Sequence, residues 1–275
     1  MSNAPAYPPE QHLLRDLPVA YTHVDAMSAR AHVGASPWFD AGGEVTTGVL
    51  LTAVDVLCGS VVGRVVAPDW MATSSLTLHL LGPVVLTPPT HEVAITARVI
   101  RDGRSTVVVD VTVDAASGER VAVGTGSFAR LPRRESSVDL SAFPVTFGER
   151  SGFDGGAPER VSSFVEAVEL GSRRDGRLEL SVHDYVQNSF GAVNGGVLGL
   201  LVEQAALAVA PPGSVATDVE IHYLRQARRG PVVASTDILR TSTSGTLVRV
   251  ELEDTGLDAG SGPAVVAVVR TASSR

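Results

Sequence analysis

The chain has little cysteine, no excess of positive charge and no leader-like start. Cys58 is the single cysteine among 275 residues, which excludes an intramolecular disulfide and favours a reducing compartment. The 22 basic residues stand against 30 acidic ones, and a net charge of −8 argues against a general nucleic-acid-binding protein. The first ten residues lack a basic stretch followed by an apolar one, as a signal peptide would have. We therefore expect a cytoplasmic protein without a nucleic-acid partner.

Several common kinds of site are also absent from the sequence. It has no Gly-x-Ser-x-Gly motif, which argues against a serine hydrolase of the α/β type. His79 and His222 have no further ligands at metal-binding spacing, so they are expected to be structural. The run 124–129 fits a dinucleotide-binding pattern loosely, but no helix pattern follows it. The apolar stretch 49–66 carries two charges and two glycines, which favours a core helix over a membrane span. We expect no metal, no resident cofactor and no membrane association.

One pattern of turn and helix occurs twice in the chain. A polar, glycine-rich turn at 188–196 runs directly into an apolar stretch at 197–210, whose only ionisable residue is Glu203. The first N–H groups of a helix have no partner within it and suit an oxygen that carries negative charge. The stretch 40–55 aligns with 188–203 without a gap, and the matched pairs are Asp40 with Asn188, Gly43 with Gly191, Thr46 with Asn194, Gly48 with Gly196, and Asp55 with Glu203. This repetition predicts an internal duplication.

The segments around each helix predict an antiparallel sheet. Four runs rich in Val, Thr and Ile follow each helix, at 73–81, 92–101, 105–114 and 120–131, and again at 216–225, 232–240, 246–253 and 263–271. Before the helices, 24–39 predicts a strand with a turn around Gly34, and 165–182 predicts a hairpin with its turn at 172–176. We predict an α+β fold with a lead-in at 1–20, a domain at 21–132, a linker at 133–160 and a second domain at 161–275. Each domain would wrap an antiparallel sheet around one long helix.

These residues resemble the hotdog-fold thioesterases, in particular the PaaI-like branch of the acyl-CoA thioesterases. That branch has an Asn, five residues, then His-Gly-Gly at the start of a helix, and an Asp or Glu within the helix. Asn188, Asn194-Gly195-Gly196 and Glu203 take those places at matching spacing. The resemblance covers both copies. It departs from the family pattern where the His is Asn194 or Thr46, and where the Asn is Asp40.

The resemblance implies a double hotdog with two unequal sites. Family members pair two hotdogs, and each site takes its carboxylate from the opposite partner, so a tandem chain would pair internally. Site one combines five residues from both copies: Asp55, Thr73, Asn188, Gly195 and Gly196. Site two combines Glu203 with residues of the first copy: Asp40, Thr46, Thr47 and Gly48. Two carboxylates close together would disfavour an anionic intermediate, so we expect the chemistry at site one.

The expected activity is hydrolysis of an acyl-CoA or acyl-carrier thioester. The N–H groups of Gly195 and Gly196 would polarise the thioester carbonyl, and Asp55 would act as general base or nucleophile. Asn188 and Thr73 would orient the water or the carboxylate, and Asn194 would lie beside the substrate. The basic run 225–229 suggests that Arg225 and Arg228 meet the phosphates of coenzyme A, or that they simply end a strand in solvent.

Other functions stay open from the sequence alone. The missing His and the altered second site also suit a non-catalytic acyl-thioester-binding or scaffold protein. A hydratase or dehydratase would need a His beside the carboxylate, and the nearest candidates, His79 and His222, lie on later strands. The family pattern further suggests that two such chains associate as a homodimer.

Overall fold

The computed structural model describes residues 7–17, 19–34, 45–82, 84, 92–133, 147–151, 163–258 and 260–273. Its helices are α1 (Leu13–Asp16), α2 (Thr47–Val66), α3 (Phe164–Ala167) and α4 (Gly195–Val209), with a 3₁₀ turn at Asp184–Val186. Its strands are β1 (Val19–Asp25), β2 (Ser28–Gly34), β3 (Trp70–Leu80), β4 (Glu92–Asp102), β5 (Thr106–Ala115), β6 (Arg120–Leu131), β7 (Arg150–Ser151), β8 (Leu170–Ser172), β9 (Leu178–Leu180), β10 (Ser214–Tyr223), β11 (Val232–Ser242), β12 (Gly245–Asp254) and β13 (Val265–Ser273).

All of these strands belong to one antiparallel sheet whose two halves mirror each other. The strand order is β7-β1-β2-β4-β5-β6-β3-β10-β13-β12-β11-β9-β8. β3 and β10 pair at its middle, where Leu78 lies opposite Val219. Outward from this pair, β6, β5, β4, β2 and β1 on one side match β13, β12, β11, β9 and β8 on the other. The two halves therefore share one strand order and meet edge to edge.

Alternating side chains give the sheet one buried face. Along β5, Val107, Val109, Val111 and Val113 are fully buried, and the residues between them are partly exposed. This period of two is the one that a half-buried strand imposes, and β-branched side chains suit it. The buried face of each half packs on a long helix, α2 in the first half and α4 in the second.

Both long helices are apolar on nearly every side because they lie inside the fold. α2 is long and apolar enough to cross a membrane by length and composition, but 72% of its apolar window is buried within the protein. It is therefore a core helix here, as the sequence predicts.

The two helices run antiparallel and touch through glycines. A Cβ added at Gly196 would lie 2.3 Å from Cα of Thr52, and one at Gly48 would lie 2.9 Å from Cα of Leu200. Higher residue numbers on one helix thus meet lower numbers on the other, and the start of each helix lies against the second turn of its partner. The hydroxyl of Thr47 also donates to the carbonyl of Ala216 at 2.6 Å, which ties the start of α2 to β10.

Gly196→Ala is expected to lower the free energy of unfolding by about 3 kcal/mol, because overpacking against rigid backbone forces the helices apart. Gly59→Ala is the matched control, since its Cβ would meet only the flexible end of Met71, at 3.3 Å. Alanine also favours helix over glycine by about 1 kcal/mol, so Gly59→Ala should be neutral or mildly stabilising. Urea denaturation measures both variants. Equal stability of Gly196→Ala and the wild type would contradict the close contact of the helices.

Most predicted elements agree with the structure, and two differ. The helices, the eight later strands and the hairpin turn near 172–176 are confirmed. The strand predicted from Val24 is interrupted by a turn at Ala26 and Met27, where Asp25 Oδ1 accepts from the N–H of Met27 at 2.8 Å. β2 ends at Gly34, and the turn predicted there continues into residues outside the described ones. The segment from 165 begins with a helix rather than a strand, because Ser163 caps α3 by accepting from the N–H of Glu166 at 3.2 Å. The rest of the predicted first strand, 35–39, lies outside the described residues.

Candidate active site

Asp55 lies where three elements from both halves converge. Asp55 lies on α2 and is 7% exposed, and its carboxylate accepts two hydrogen bonds. The hydroxyl of Thr73 on β3 donates to Oδ1 at 2.9 Å, and the N–H of Gly196 at the start of α4 donates to Oδ2 at 3.2 Å. The carboxylate of the first half is thus held against the helix start of the second half.

The surroundings of Asp55 raise the pKa of its carboxyl and so make the carboxylate a stronger base. Burial raises the pKa of its carboxyl to about 6, and the hydrogen bonds from Thr73 and Gly196 oppose that shift. At neutral pH the group is therefore mostly ionised. It is nevertheless a stronger base than an exposed carboxylate, as a general base near pH 7 should be.

The start of α4 offers one open donor rather than two. The N–H of Gly196 is shared between Asp55 Oδ2 and Asn194 Oδ1, which caps the helix at 2.9 Å. The prediction that both glycine N–H groups face a substrate is therefore wrong for Gly196 in this arrangement. The N–H of Gly195 lies at the positive end of the helix dipole, and it has no acceptor among the residues that the structure describes. A Cβ there would lie 2.9 Å from Asp55 Oδ2, so a larger residue would displace the carboxylate.

Asn188 builds the turn that precedes α4. Its Oδ1 accepts from the N–H of Phe190 at 2.9 Å and from that of Ala192 at 3.2 Å. Gly191 adopts a φ of 67°, which favours glycine at this point of the turn. The oxygen of Asn188 is thus committed to the loop, and its amide nitrogen is the group that can meet a ligand.

A cleft of about 460 Å³ opens at Asp55 between the two halves. Six predicted site residues line it: Asp55, Thr73, Asn188, Asn194, Gly195 and Arg225. From Asp55 it follows α2 past Gly59 to Gly63, a length of about 12 Å at the helical rise per residue. Tyr21, His23 and Arg64 also line it. The cleft is large enough for the acyl part of a small-molecule ligand.

Tyr7, His23 and Tyr223 are among the cleft residues that were not predicted from the sequence. The hydroxyl of Tyr223 donates to the carbonyl of Gly195 at 2.8 Å and so fixes the start of α4. Burial, and then the charge of Asp55, raises the pKa of Tyr223 well above its usual value. One feature of the sequence could have indicated Tyr223: the matching position of the first copy holds an apolar residue, Leu80, instead of a tyrosine.

The residues of site two are packed into the interior. Glu203 is 1% exposed, and burial raises the pKa of its carboxyl to about 7. Hydrogen bonds from the N–H groups of Gly48 and Thr47 and from the hydroxyl of Thr46 oppose this shift. A Cβ at Gly48 would lie 2.6 Å from Glu203 Oε2, so little space separates them. The cleft at Asp55 is not lined by Glu203 or by its partners. Asp40, the remaining predicted member of this site, lies outside the described residues.

The arginine-rich loop beside the cleft is held by a buried carboxylate. Asp254 is 2% exposed and accepts from the N–H groups of Arg228 (2.7 Å), Arg229 (3.0 Å), Gly230 (2.7 Å) and Gly256 (3.2 Å). The guanidinium of Arg225, which lines the cleft, donates to the carbonyl of Gly262. Arg228 is exposed and donates to the carbonyl of Phe190 at 2.8 Å. The loop therefore presents one arginine in the cleft and a second beside its turn.

Asp254→Ala is expected to lower the free energy of unfolding by at least about 3 kcal/mol, because several buried N–H groups lose their acceptor. Burial would raise the pKa of Asp254, but its four N–H donors outweigh burial and lower it. A lowered pKa contributes stability above the unfolded pKa and loses it as the pH falls through the folded pKa. The difference in the free energy of unfolding between Asp254→Ala and the wild type should thus become smaller at acid pH. Asp237→Ala, exposed on β11, is the control and should change stability by less than about 0.5 kcal/mol in thermal melts. An Asp254→Ala protein as stable as this control would contradict the anchoring role.

The two matched histidines lie away from the cleft. His79 Nδ1 lies 3.0 Å from Asp218 Oδ1, and His222 Nε2 lies 3.1 Å from Glu220 Oε1. Both pairs are exposed on the central strands β3 and β10. Within the described ranges, no group of three or more His, Cys, Asp or Glu residues could hold a metal ion.

Comparisons with known proteins indicate the family and the fold. A sequence model of the acyl-CoA thioesterase N-terminal domain matches residues 35–129 and again 185–272. No match is found among curated proteins. Three solved structures share the fold. A 12:0-ACP thioesterase from Umbellularia californica superposes with a TM-score of 0.59 at 12% identity, over 89% of this chain and 93% of that one.

The other two structures are similar over almost their whole length. The tesB protein of Mycobacterium avium subs paratuberculosis has a TM-score of 0.58 at 12% identity, over 94% of this chain and 97% of its own. An acyl-ACP thioesterase from Bacteroides thetaiotaomicron has a TM-score of 0.57 at 14% identity, over 89% of this chain and 97% of its own. At such identities the likeness concerns the fold alone.

Proposed function

The chain belongs to the acyl-CoA thioesterase family, and on that premise we propose that it hydrolyses acyl-CoA thioesters at site one, between two tandem hotdog domains. The twofold match of the family model and the mirrored strand order support an internal duplication. The proposed domains are 21–132 and 161–275, joined by a linker at 133–160 and preceded by a lead-in at 1–20.

One observation carries the proposal. An ionised carboxylate, Asp55, is held by two hydrogen bonds at the head of a cleft and beside a helix start with an open N–H. A base next to a donor for a developing oxyanion is the arrangement that acyl transfer to water requires. Thr73 and Gly196 each fix one carboxylate oxygen, so the orientation of the base is set before a substrate arrives.

The reaction follows from these positions. The thioester carbonyl oxygen would accept from the N–H of Gly195, while the acyl chain would lie in the cleft along α2. Asp55 would take a proton from water as the water oxygen bonds to the carbonyl carbon. The C–S bond of the tetrahedral intermediate would then break, and the thiolate would take the proton from Asp55. Thioester and water become carboxylic acid and thiol, and the enzyme returns to its starting state.

The thiol half of the substrate is proposed to be coenzyme A. Arg225 lies in the cleft and Arg228 beside it, so two guanidinium groups can meet phosphates. A carrier-protein thioester shares only part of this chemistry. The proposal includes no cofactor beyond the coenzyme A of the substrate, a location in the cytoplasm in keeping with the buried thiol of Cys58, and association of two chains.

Thiol release from a panel of thioesters tests the function. The same acyl groups are offered as coenzyme A thioesters, as carrier-protein thioesters and as N-acetylcysteamine thioesters, which lack phosphates. We expect the highest kcat/KM for coenzyme A thioesters, with a lower KM than for the N-acetylcysteamine series. Binding without turnover across the panel would instead support the acyl-thioester-binding alternative, which the absence of the family His at Asn194 favours.

A further inference from the structure

Tyr7 stands at the head of the cleft, although it belongs to the stretch 1–20 that the sequence predicts to be a lead-in. It lines the cleft together with Asp55, Asn188 and Ser189, and it is partly buried. Its hydroxyl is close enough to Asp55 for the charge of that carboxylate to affect its titration. Tyr7 has no role in the reaction as proposed above.

The segment that carries Tyr7 is anchored on the second half of the protein. His12 is fully buried and its Nε2 lies 2.7 Å from the carbonyl of Gln187, one residue before the turn of Asn188. His12 Nδ1 accepts from the N–H of Leu14 at 3.1 Å, so Nε2 must carry the proton and donate to Gln187. The ring of Tyr7 meets that of His12 edge to face, with centroids 5.1 Å apart. The contact with His12, which is itself bound to Gln187, therefore fixes the position of the Tyr7 ring.

The segment is also braced within itself. Arg15 donates from Nε to the carbonyl of Pro9 at 2.7 Å and from Nη2 to that of Pro8 at 2.8 Å. Leu13 is fully buried in the core. These contacts hold the backbone directly after Tyr7, so the phenol can be placed with the accuracy that catalysis needs.

The hydroxyl of Tyr7 is a donor that remains protonated. Burial raises its pKa, the N–H of Ser189 donates to the hydroxyl and opposes this, and the charge of Asp55 raises it further. Among the residues that the structure describes, the O–H of Tyr7 has no acceptor, so it is the part that can act on a ligand. Tyr223 differs, since its proton is already donated to Gly195.

An oxyanion next to Gly195 lacks a second donor from the glycine pair, because Gly196 is engaged by Asp55 and Asn194. We propose that Tyr7 is a catalytic residue whose O–H donates to the thioester carbonyl oxygen and completes the oxyanion hole with the N–H of Gly195. This inference rests on the proposed thioesterase function. Tyr7 keeps its proton throughout, so the balance of the reaction is unchanged: it stabilises the charge that appears when water attacks.

Tyr7→Phe tests the proposal because it removes the hydroxyl and keeps the ring that packs on His12. We expect kcat to fall about 100-fold, the usual effect of losing one oxyanion donor, with KM within about twofold of the wild type. The dissociation constant of a non-hydrolysable acyl-CoA thioether, measured by calorimetry, should stay within the same range. Tyr185→Phe is the matched control: its hydroxyl faces Asp16 of the same segment, and it does not line the cleft. Its kcat should equal that of the wild type.

The outcomes separate the two proposals. A wild type that hydrolyses the panel, with a Tyr7→Phe variant of unchanged kcat, overturns the role of Tyr7 and leaves the thioesterase function standing. A fall in kcat that comes with an equal fall for Tyr185→Phe, or with lost thioether binding, assigns Tyr7 to the packing of the segment and also overturns the catalytic role. A wild type that releases no thiol from any thioester overturns both proposals.

Discussion

Asp55→Asn is expected to lower kcat/KM for the best acyl-CoA substrate by about 10²–10⁴-fold, the range for a lost general base. The substitution keeps the shape of the side chain and an oxygen that can accept from Thr73 or Gly196, but it removes the basic oxygen. The helix start and the cleft should survive, so KM should change little. Thiol release under steady-state conditions measures the effect.

The pH profile of the wild type provides a second measure of the same group. Because burial raises the pKa of Asp55 to about 6, the free enzyme should lose kcat/KM as the pH falls through about 6. An exposed carboxylate would give that limb near pH 4. Thr73→Val removes a hydrogen bond that favours the ionised form, so it should shift the acid limb to higher pH.

Two results would count against this role. Full activity of Asp55→Asn would remove the base from the mechanism, and loss of activity only in Glu203→Gln would move the chemistry to site two. Hydrolysis in ¹⁸O-labelled water under single-turnover conditions then separates the two roles of the carboxylate. Label in Asp55 after one turnover indicates direct attack by the carboxylate, followed by attack of water on the Asp55 carbon of the mixed anhydride. Label in the acid product alone, with no anhydride trapped by hydroxylamine, indicates a general base.

The fold could be predicted from the sequence because its determinants are local and occur twice. The run of Val107, Val109, Val111 and Val113 has the period of a half-buried strand, and the helices contain few polar positions. The turn between β1 and β2 was not predicted because the side chain of Asp25, and not a glycine, makes it. Short side-chain-to-backbone bonds of this kind leave little trace in hydrophobic patterns.

The candidate site could be predicted only in part. The resemblance to hotdog thioesterases implied that Asp55, Thr73 and Gly196 meet, and in the structure Thr73 and Gly196 each donate a hydrogen bond to the Asp55 carboxylate, at 2.9 and 3.2 Å. The sharing of the Gly196 N–H between two acceptors depends on the exact approach of α2 to α4, which no pattern encodes. Tyr7 was missed because its place depends on His12 reaching Gln187, a contact between residues 175 positions apart.

Glu203→Gln is expected to raise the free energy of unfolding at pH 8.5 by about 2–3 kcal/mol, since it removes a buried charge that the fold tolerates poorly. Burial raises the pKa of Glu203 to about 7, from an ordinary value of 4.5. The protonated form is thus the one that the folded state prefers. Its stabilising contribution is fully present below the unfolded pKa and is lost as the pH rises through the folded pKa.

The size of the effect should therefore depend on pH. The advantage of glutamine should be below about 1 kcal/mol at pH 5 and approach its full value above pH 8, because each unit of pKa shift corresponds to about 1.4 kcal/mol. Glutamine can still accept from Thr46, Thr47 or Gly48 through its carbonyl oxygen. Urea denaturation at several pH values measures the difference, and Glu253→Gln, exposed on β12, is the control that should show none.

The matched carboxylates then separate stability from catalysis. Asp55 and Glu203 occupy equivalent places in the two copies, both are buried, and burial raises the pKa of both. Asp55→Asn should also stabilise the protein at high pH, but at the expense of activity, whereas Glu203→Gln should stabilise it and keep kcat/KM. Destabilisation by Glu203→Gln at every pH would mean instead that the ionised carboxylate is needed where the N–H groups of Thr47 and Gly48 meet it. Retained activity together with higher stability in Glu203→Gln would thus show that the carboxylate of the second half takes no part in the reaction.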